Sequence, residues 1–362
     1  MATVFKTLTT ADRTTTKTLL HEAIPLTGAL ISGTYMEPGN AASNVKTFSH
    51  GMFQSVYDYP YLSSSANHVL DLTFGYTSSM SSSTQVEQAK KHQIFNQFSQ
   101  VLRGYDEDGN IKGFNHAKIT GGQWNSDSSE VSMGQCFFLS FARLLTKDEI
   151  KKGTFKIELN TGSAFAATDN GNPMVIQDHG AASNYHIDSP AGDYGILYTS
   201  SISQTSSAGV GMIFYQAGIV ALTASVFSAS LPKDGGASAY FSKFGISNRS
   251  LHHVITGNTI DTNIQGLRNR IRNVEFQNTT ELNSTMYFCR ANHNEFNYSS
   301  NPTYLSASKI RVKTQSTDLP KSYVTTVGLY NHSNELMAVA KLSEPLKKDP
   351  NTEFVLKVRL DY

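Results

Sequence analysis

The sequence predicts a mainly β (α+β) protein of antiparallel, sandwich-like sheets with two or three short helices. Three observations carry that prediction. Apolar and polar residues alternate over many segments, most plainly in "TEFVLKVRLDY", where Phe354, Leu356, Val358, Leu360 and Tyr362 take every second position. A period of two is the strand period, and one apolar face needs sheet neighbours to bury it. Charged residues make up only 16% of the 362 residues, so β surfaces and tight turns suit the chain better than long solvated helices. Complete helix grammar, with cap, stripe and stop, occurs in only a few places.

Taken in order, "SHGMFQSVYDYPYLSSSANHVLDLTFGY" sets Tyr57, Tyr59 and Tyr61 at alternate positions behind Met52 and Phe53. Pro60 cannot donate to a central ladder, which predicts an edge strand or extended arm. "STQVEQAKKHQIFNQFSQVLRGY" predicts a helix, with Thr84 and Glu87 as capping box, Ile94, Phe98, Val101 and Leu102 as stripe, and Gly104 as stop. Asp108-Gly109 marks a hairpin. "TKDEIKKG" repeats the helix grammar, with Thr146 and Glu149 as box and Gly153 as stop, and "TFKIEL" follows as a strand. From Tyr194 to Pro232 no charge occurs, and two buried strands hinge at "YQAG", Met212 to Tyr215 and Ile219 to Val226. A weaker helix lies in "NIQGLRNRIRNV", on Ile264, Leu267 and Ile271. "VEFQNTTELNSTMYFCRA" reads as two strands around a Thr/Asn turn, and "YVTTVGLYNHSNELMAVAKL" as a hairpin turning at Asn331 to Asn334. Ser-rich loops and "LPKDGG" (Leu231 to Gly236) divide the chain into 1–83 (N-terminal arm and β-rich segment), 84–232 (central α+β) and 233–362 (C-terminal β).

Composition narrows the function. Thirty Lys and Arg against 29 Asp and Glu leave no global field to draw nucleic acid or anionic lipid. Gln216 and Gly209, Gly211 and Gly218 interrupt the most apolar stretch, so no membrane insertion is expected. The start of the chain has no apolar core with a small-residue cleavage site, and no signal peptide is expected. Two cysteines, Cys136 and Cys289, make no disulfide framework and read as buried thiols in a reducing compartment. No hydrolase, P-loop or zinc motif occurs. Asp106, Asp108 and Asn110 mimic the start of a calcium loop, but Ile111 replaces its glycine and Ala117 its closing glutamate, so a hairpin turn is expected. His252-His253, His186 and His293 are read as structural. No cofactor, metal or catalytic residue is therefore expected. The one acidic cluster, Asp178, Asp188 and Asp193, is the only candidate for hydrolysis of a cell-surface polymer.

Two stretches suit contact. Met52, Phe53, Tyr57, Tyr59 and Tyr61 form one aromatic strip; Phe296, Tyr298 and Tyr304, in "NHNEFNYSSNPTYL", form the other. Aromatic and Met enrichment marks interface centres. The alternatives are packing of the tyrosines over their own sheet, or stacking of the second strip on sugar faces. Long blocks in order, "FSHGMFQSVYDYPYLSSSANH", "ARLLTKDEIKKGTFKIEL", "SPAGDYGILYTSS", "VEFQNTTELNSTMYFCRANHNEFNYSSNPTYL" and "YVTTVGLYNHSNELMAVAKLSEPLKKDPNTEFVLKVRLDY", resemble a virion structural protein of contractile-tailed phages infecting marine cyanobacteria. The likeness runs from about Phe48 to Tyr362. It implies a non-enzymatic part of the virion, in the tail baseplate or fibre-attachment region, the neck or the capsid. It also implies docking to other virion proteins and copies of itself, and assembly in the bacterial cytoplasm; a host-surface glycan is the further partner that the aromatics of the second strip, and not the resemblance, suggest.

Overall fold

The computed structural model describes residues 5–33, 43–77, 85–116, 119–120, 123–124, 131–160, 173–199, 209–227, 255–299, 301–307 and 309–362. It is mainly β, 45% strand against 18% helix. Chain order gives β1 (Arg13–Thr27), α1 (Gly28–Ser32), β2 (Val45–Thr47), β3 (Gln54–Tyr57), β4 (His68–Tyr76), α2 (Val86–Arg103), β5 (Gln135–Phe141) and α3 (Arg143–Thr146). Then follow β6 (Glu149–Ile150), β7 (Lys156–Leu159), β8 (Met174–Gln177), β9 (Tyr194–Thr199), β10 (Gly211–Phe214), β11 (Ile219–Thr223) and α4 (Ile260–Arg268). The C-terminal strands are β12 (Ile271–Ala291), β13 (Ser322–Tyr330), β14 (Leu336–Lys348) and β15 (Phe354–Asp361), and shorter ladders lie between the named elements.

The chain divides into two compact units: a central unit, Leu20–Thr280, and a terminal unit, Met1–Leu19 with Glu281–Tyr362. Sequence composition suggested three segments instead. The central unit draws on all three: β4, from the first, pairs with β5, from the second, and β7, from the second, pairs with β12, from the third. The expected boundary at Leu231 to Gly236 lies outside the described residues.

In the central unit the strands run in the order β12, β7, β8, β9, β10, β11, β5, β4, β3, β2, and the pairings between them are antiparallel. The middle strands are buried on both faces; all of Gly211–Phe214 is buried. Their near-continuous apolar sequence follows from that. Phe137 sits in the core with its ring 4.8 Å from Phe74 and 5.8 Å from Phe227. Helix α2 covers β4, and the two backbones meet at Gly75, where a Cβ would lie 2.7 Å from both Lys91 O and Phe95 N. The stripe that docks the helix is Lys91, Ile94, Phe95, Ser99 and Leu102. Val101, expected on that stripe, is exposed. Thr84 lies outside the described residues, and Gln85 is the N-cap.

Three expected elements differ. The Met52–Tyr61 stretch is not an edge: its strand β3 pairs with β2 on one side and β4 on the other, and ends at Tyr57, before Pro60. "TKDEIKKG" is not a helix: α3 stops at Thr146, and Glu149 and Ile150 pair with Thr279 and Asn278 of β12. Burial of Ile150 and its N–H bond to Tyr215 O (3.0 Å) outweigh the capping box. "VEFQNTTELNSTMYFCRA" is one strand, not two. Asn278 and Thr279, expected to turn, are buried; Asn278 donates to Leu145 O (2.9 Å) and accepts from Glu22 N–H (3.1 Å). With their polar groups satisfied sideways, the strand runs straight through. The weak helix exists as α4, but Thr259 caps it and Ile271 already belongs to β12. The hinge at "YQAG" is as expected, with Gly218 at φ +65° joining β10 to β11.

In the terminal unit β15 pairs antiparallel with β12, from Ser284 opposite Asp361 to Ala291 opposite Phe354. The closing alternation is therefore a strand, as read. Its five apolar side chains do not all bury: Val358 is buried, while Tyr362 stays 72% exposed. β13 and β14 form the expected hairpin, turning through Asn331 to Asn334, with Asn334 at φ +61°.

Candidate functional site

Within the terminal unit lies a groove of about 1440 Å³. One wall is the N-terminal segment from Phe5 to Thr10, and the other is β13, every residue of which lines the groove. Its floor takes alternate residues of β15, Phe354 and Leu356 among them, together with Tyr287 and Cys289 of β12. The N-terminal wall is pinned by charge. Lys6 Nζ reaches Glu295 (2.5 Å) and donates to Arg290 O (3.0 Å), and Arg290 pairs with Asp12 (3.0 Å). Thr9 donates its hydroxyl and N–H to Asp12, which holds that carboxyl below its usual range. At one end the Phe5 ring meets Tyr330 edge-on at 4.9 Å. Among the described residues no carboxylate lines the groove, and Arg13, which does, is an exposed cation.

The expected contact residues fall in both units. Phe296 and Tyr298 line the groove. Phe296 has φ +56°, a left-handed backbone held where its carbonyl accepts from Ser322 Oγ (2.5 Å). Tyr298 is 41% exposed, with its ring 5.1 Å from Tyr304; Tyr304 is buried and donates its hydroxyl to Lys321 O. In the central unit Met52 packs on the core, and Phe53 lies against Phe48 at 4.6 Å. Tyr57 contacts His68 at 5.6 Å and Tyr61 at 6.3 Å, and Tyr59 is half-buried. This strip packs largely on its own neighbours.

The three acids are held in separate arrangements. Asp178, only 1% exposed, accepts from Gly153 N–H (2.7 Å), Phe155 N–H (3.0 Å) and Tyr215 Oη–H (2.9 Å). Burial pushes its carboxyl up to about 6 against the pull of those donors. Asp188 accepts from Tyr194 Oη–H (2.8 Å), and Asp193 pairs with Lys152 (3.0 Å). A Ser/Asp/His group also occurs, but Ser55 Oγ donates to Asp71 (2.5 Å) and His68 Nε2 lies 2.8 Å from the same oxygen. The carboxylate stands between hydroxyl and imidazole, so the imidazole cannot serve as the hydroxyl's base there. Among the described residues no cluster of three or more His, Cys, Asp or Glu has metal-binding geometry. No helix among them is long and apolar enough to cross a membrane. His252 and His253 lie outside the described residues.

Sequence reading missed the buried cations. Lys91 is fully buried and donates to Ile255 O (3.4 Å), Thr256 O (2.9 Å) and Asn258 O. Burial lowers its ammonium to about 8. Arg268 donates to Gln54 Oε1 (2.8 Å), Ile31 O (3.2 Å) and Ser32 O (2.6 Å), fastening α4 to the end of α1. The spacing of Lys91 from Ile94, Phe95 and Leu102 was the available signal, since it sets the lysine on the apolar stripe. Cys136 is buried as expected, and Cys289 is half-buried at the groove. No family model, curated protein or solved structure matches the chain.

Proposed function

We propose that the chain is a non-enzymatic structural component of a phage virion, in the tail baseplate or fibre-attachment region, that works by docking subunits. One observation carries this. Among the described residues of the terminal unit only Ala291, Tyr304 and Val358 are buried apolar side chains. Tyr323, Tyr330, Leu336, Met337, Val339 and Val355 stand exposed there. Ordering each residue costs about 1–2 kcal/mol, and each apolar side chain that buries fully returns about 1.5–3 kcal/mol. So small a core favours a unit completed from outside, as in obligate assemblies whose interfaces resemble a divided core. Purified particles should contain the chain at fixed symmetric positions, visible by immunogold labelling and electron microscopy. Its recovery from infected-cell cytosol alone would refute the reading.

A second reading rests on Tyr298 and Arg13 at the groove, an exposed ring and a cation suited to an acidic glycan of the host surface. A glycan array probed with the purified chain tests it. Binding lost in Tyr298→Ala supports it; silence across acidic glycans returns the ring to packing.

A further inference from the structure

We propose that the loop from Lys309 to Lys321 holds the anionic groups of an acidic polysaccharide. The inference rests on the second reading above for the kind of partner, and names the surface that takes its charges. Between Phe296 and Tyr330 the sequence carries four cations, Lys309, Arg311, Lys313 and Lys321, against one acid, Asp318. Elsewhere in the terminal unit Lys6, Lys17, Arg290, Lys347 and Arg359 each pair with a carboxylate. Among the described residues none of the four loop cations does. Asp318 is engaged by its own loop: its Oδ2 accepts from Thr314 N–H (3.0 Å), Thr314 Oγ1–H (2.8 Å) and Gln315 N–H (3.0 Å). The loop therefore presents a local positive charge with no acid set against it.

Its backbone is tied in place. Lys309 stands opposite Ser306 in a short ladder, and Lys313 N–H donates to Ile310 O (3.1 Å). Arg311 N–H donates to Tyr304 O (3.0 Å), and Tyr304 donates its hydroxyl to Lys321 O. One buried tyrosine thus fastens the chain at Arg311 and again at Lys321. Lys309 and Arg311 are exposed, and Lys313 and Lys321 half-buried. Cations on a backbone already held cost less to order when a ligand arrives.

The same tyrosine sets the second feature. Tyr298 stands edge-on to it at 5.1 Å with 41% of its surface exposed, and Asn301, Thr303 and Ser306 are exposed nearby in the chain. An aromatic face, hydroxyls and an amide beside unpaired cations match the chemistry of a sugar acid. The ring covers an apolar sugar face, the polar side chains meet hydroxyls, and the Arg311 fork takes a carboxylate. Nucleic acid matches less well. A duplex carries a charge about every 1.7 Å of its axis and is bound through many phosphates. Four cations in a chain of net charge +1 supply neither that number nor a long-range field.

The test passes the full chain over immobilised polygalacturonate, neutral dextran and duplex DNA in biolayer interferometry. The expected result is binding to polygalacturonate and not to dextran, weakening as salt rises from about 20 to about 300 mM. Lys309→Ala with Arg311→Ala and Lys313→Ala should weaken it at least about tenfold. Circular dichroism checks that the variant keeps its fold; if it does not, slowed hydrogen exchange at 309–321 in the unmodified chain on adding polygalacturonate still decides. No binding to polygalacturonate at low salt, an unweakened folded variant, or tighter binding of the duplex each overturn the proposal. Arg13→Ala separates this surface from the groove. Binding lost in Arg13→Ala but kept in the triple variant overturns the loop and leaves the groove reading standing. Binding lost in the triple variant and unchanged in Arg13→Ala supports the loop and removes the groove cation from the reading.

Discussion

The two units solve the same problem with opposite means. The central unit buries aromatic side chains in a contiguous core, from Leu26 to Phe276, and tucks even Lys91 and Arg268 beneath it. The terminal unit uses strands of equal regularity but leaves many apolar side chains in solvent. Backbone pairing is complete enough in both to define strands, so hydrogen bonding does not separate them. Burial does. Side-chain truncations should therefore cost much in the first unit and little in the second, until the second is covered.

The largest effect belongs to the middle of the core. Phe137→Ala removes a fully buried ring flanked by Phe74 and Phe227. It should lower stability by about 3–5 kcal/mol in urea unfolding followed by circular dichroism. A loss below about 1 kcal/mol would mean that the central unit does not depend on this core.

Asp178 gives the next effect, through pH. Its folded carboxyl, raised to about 6, binds a proton more tightly than an unfolded aspartate at about 3.9. Its contribution is therefore fully present below about pH 4 and is lost as pH rises through 6. The displacement of about two pH units corresponds to about 3 kcal/mol. Asp178→Asn should remove that slope. It should also cost about 1–3 kcal/mol at neutral pH, because one amide hydrogen must then face a backbone N–H donor. A variant with the unmodified pH profile would assign the slope to other groups.

Gly75→Ala probes the contact between α2 and β4. The added carbon meets helix backbone at 2.7 Å, which no side-chain rotation relieves. About 1–3 kcal/mol should be lost, with faster amide exchange in α2. An unchanged melting temperature would show that the helix can lift without penalty.

Legibility in the sequence follows the same division between local pairing and burial. The C-terminal strand, the β13–β14 hairpin and the Gly218 hinge depend on alternation and turn residues, and each was readable. Thr146 with Glu149, and the polar run at Asn278, were misread because distant residues decide them: Tyr215 O and β12 capture one, Leu145 O and Glu22 N–H satisfy the other. Phe296 and Tyr298 were readable as unusual residues in a turn-rich loop. The groove itself was not, because Phe5 and Ser322 are far apart in sequence and only the fold sets both on its lining.

The smallest effect is the sharpest test of the contrast. Val339 lies on β14, 53% exposed opposite Gly328. Val339→Ala removes little buried surface in the lone chain, so stability should change by less than about 0.5 kcal/mol. Once a partner covers the hairpin the same methyl groups leave water, and the deletion should then cost about 1 kcal/mol of association, several-fold in Kd. Measuring unfolding at low concentration and association at high concentration separates the two. Equal costs in both would mean that Val339 stays in solvent after assembly. A large cost in the lone chain would mean that the terminal unit already has a core, and the difference between the units would vanish.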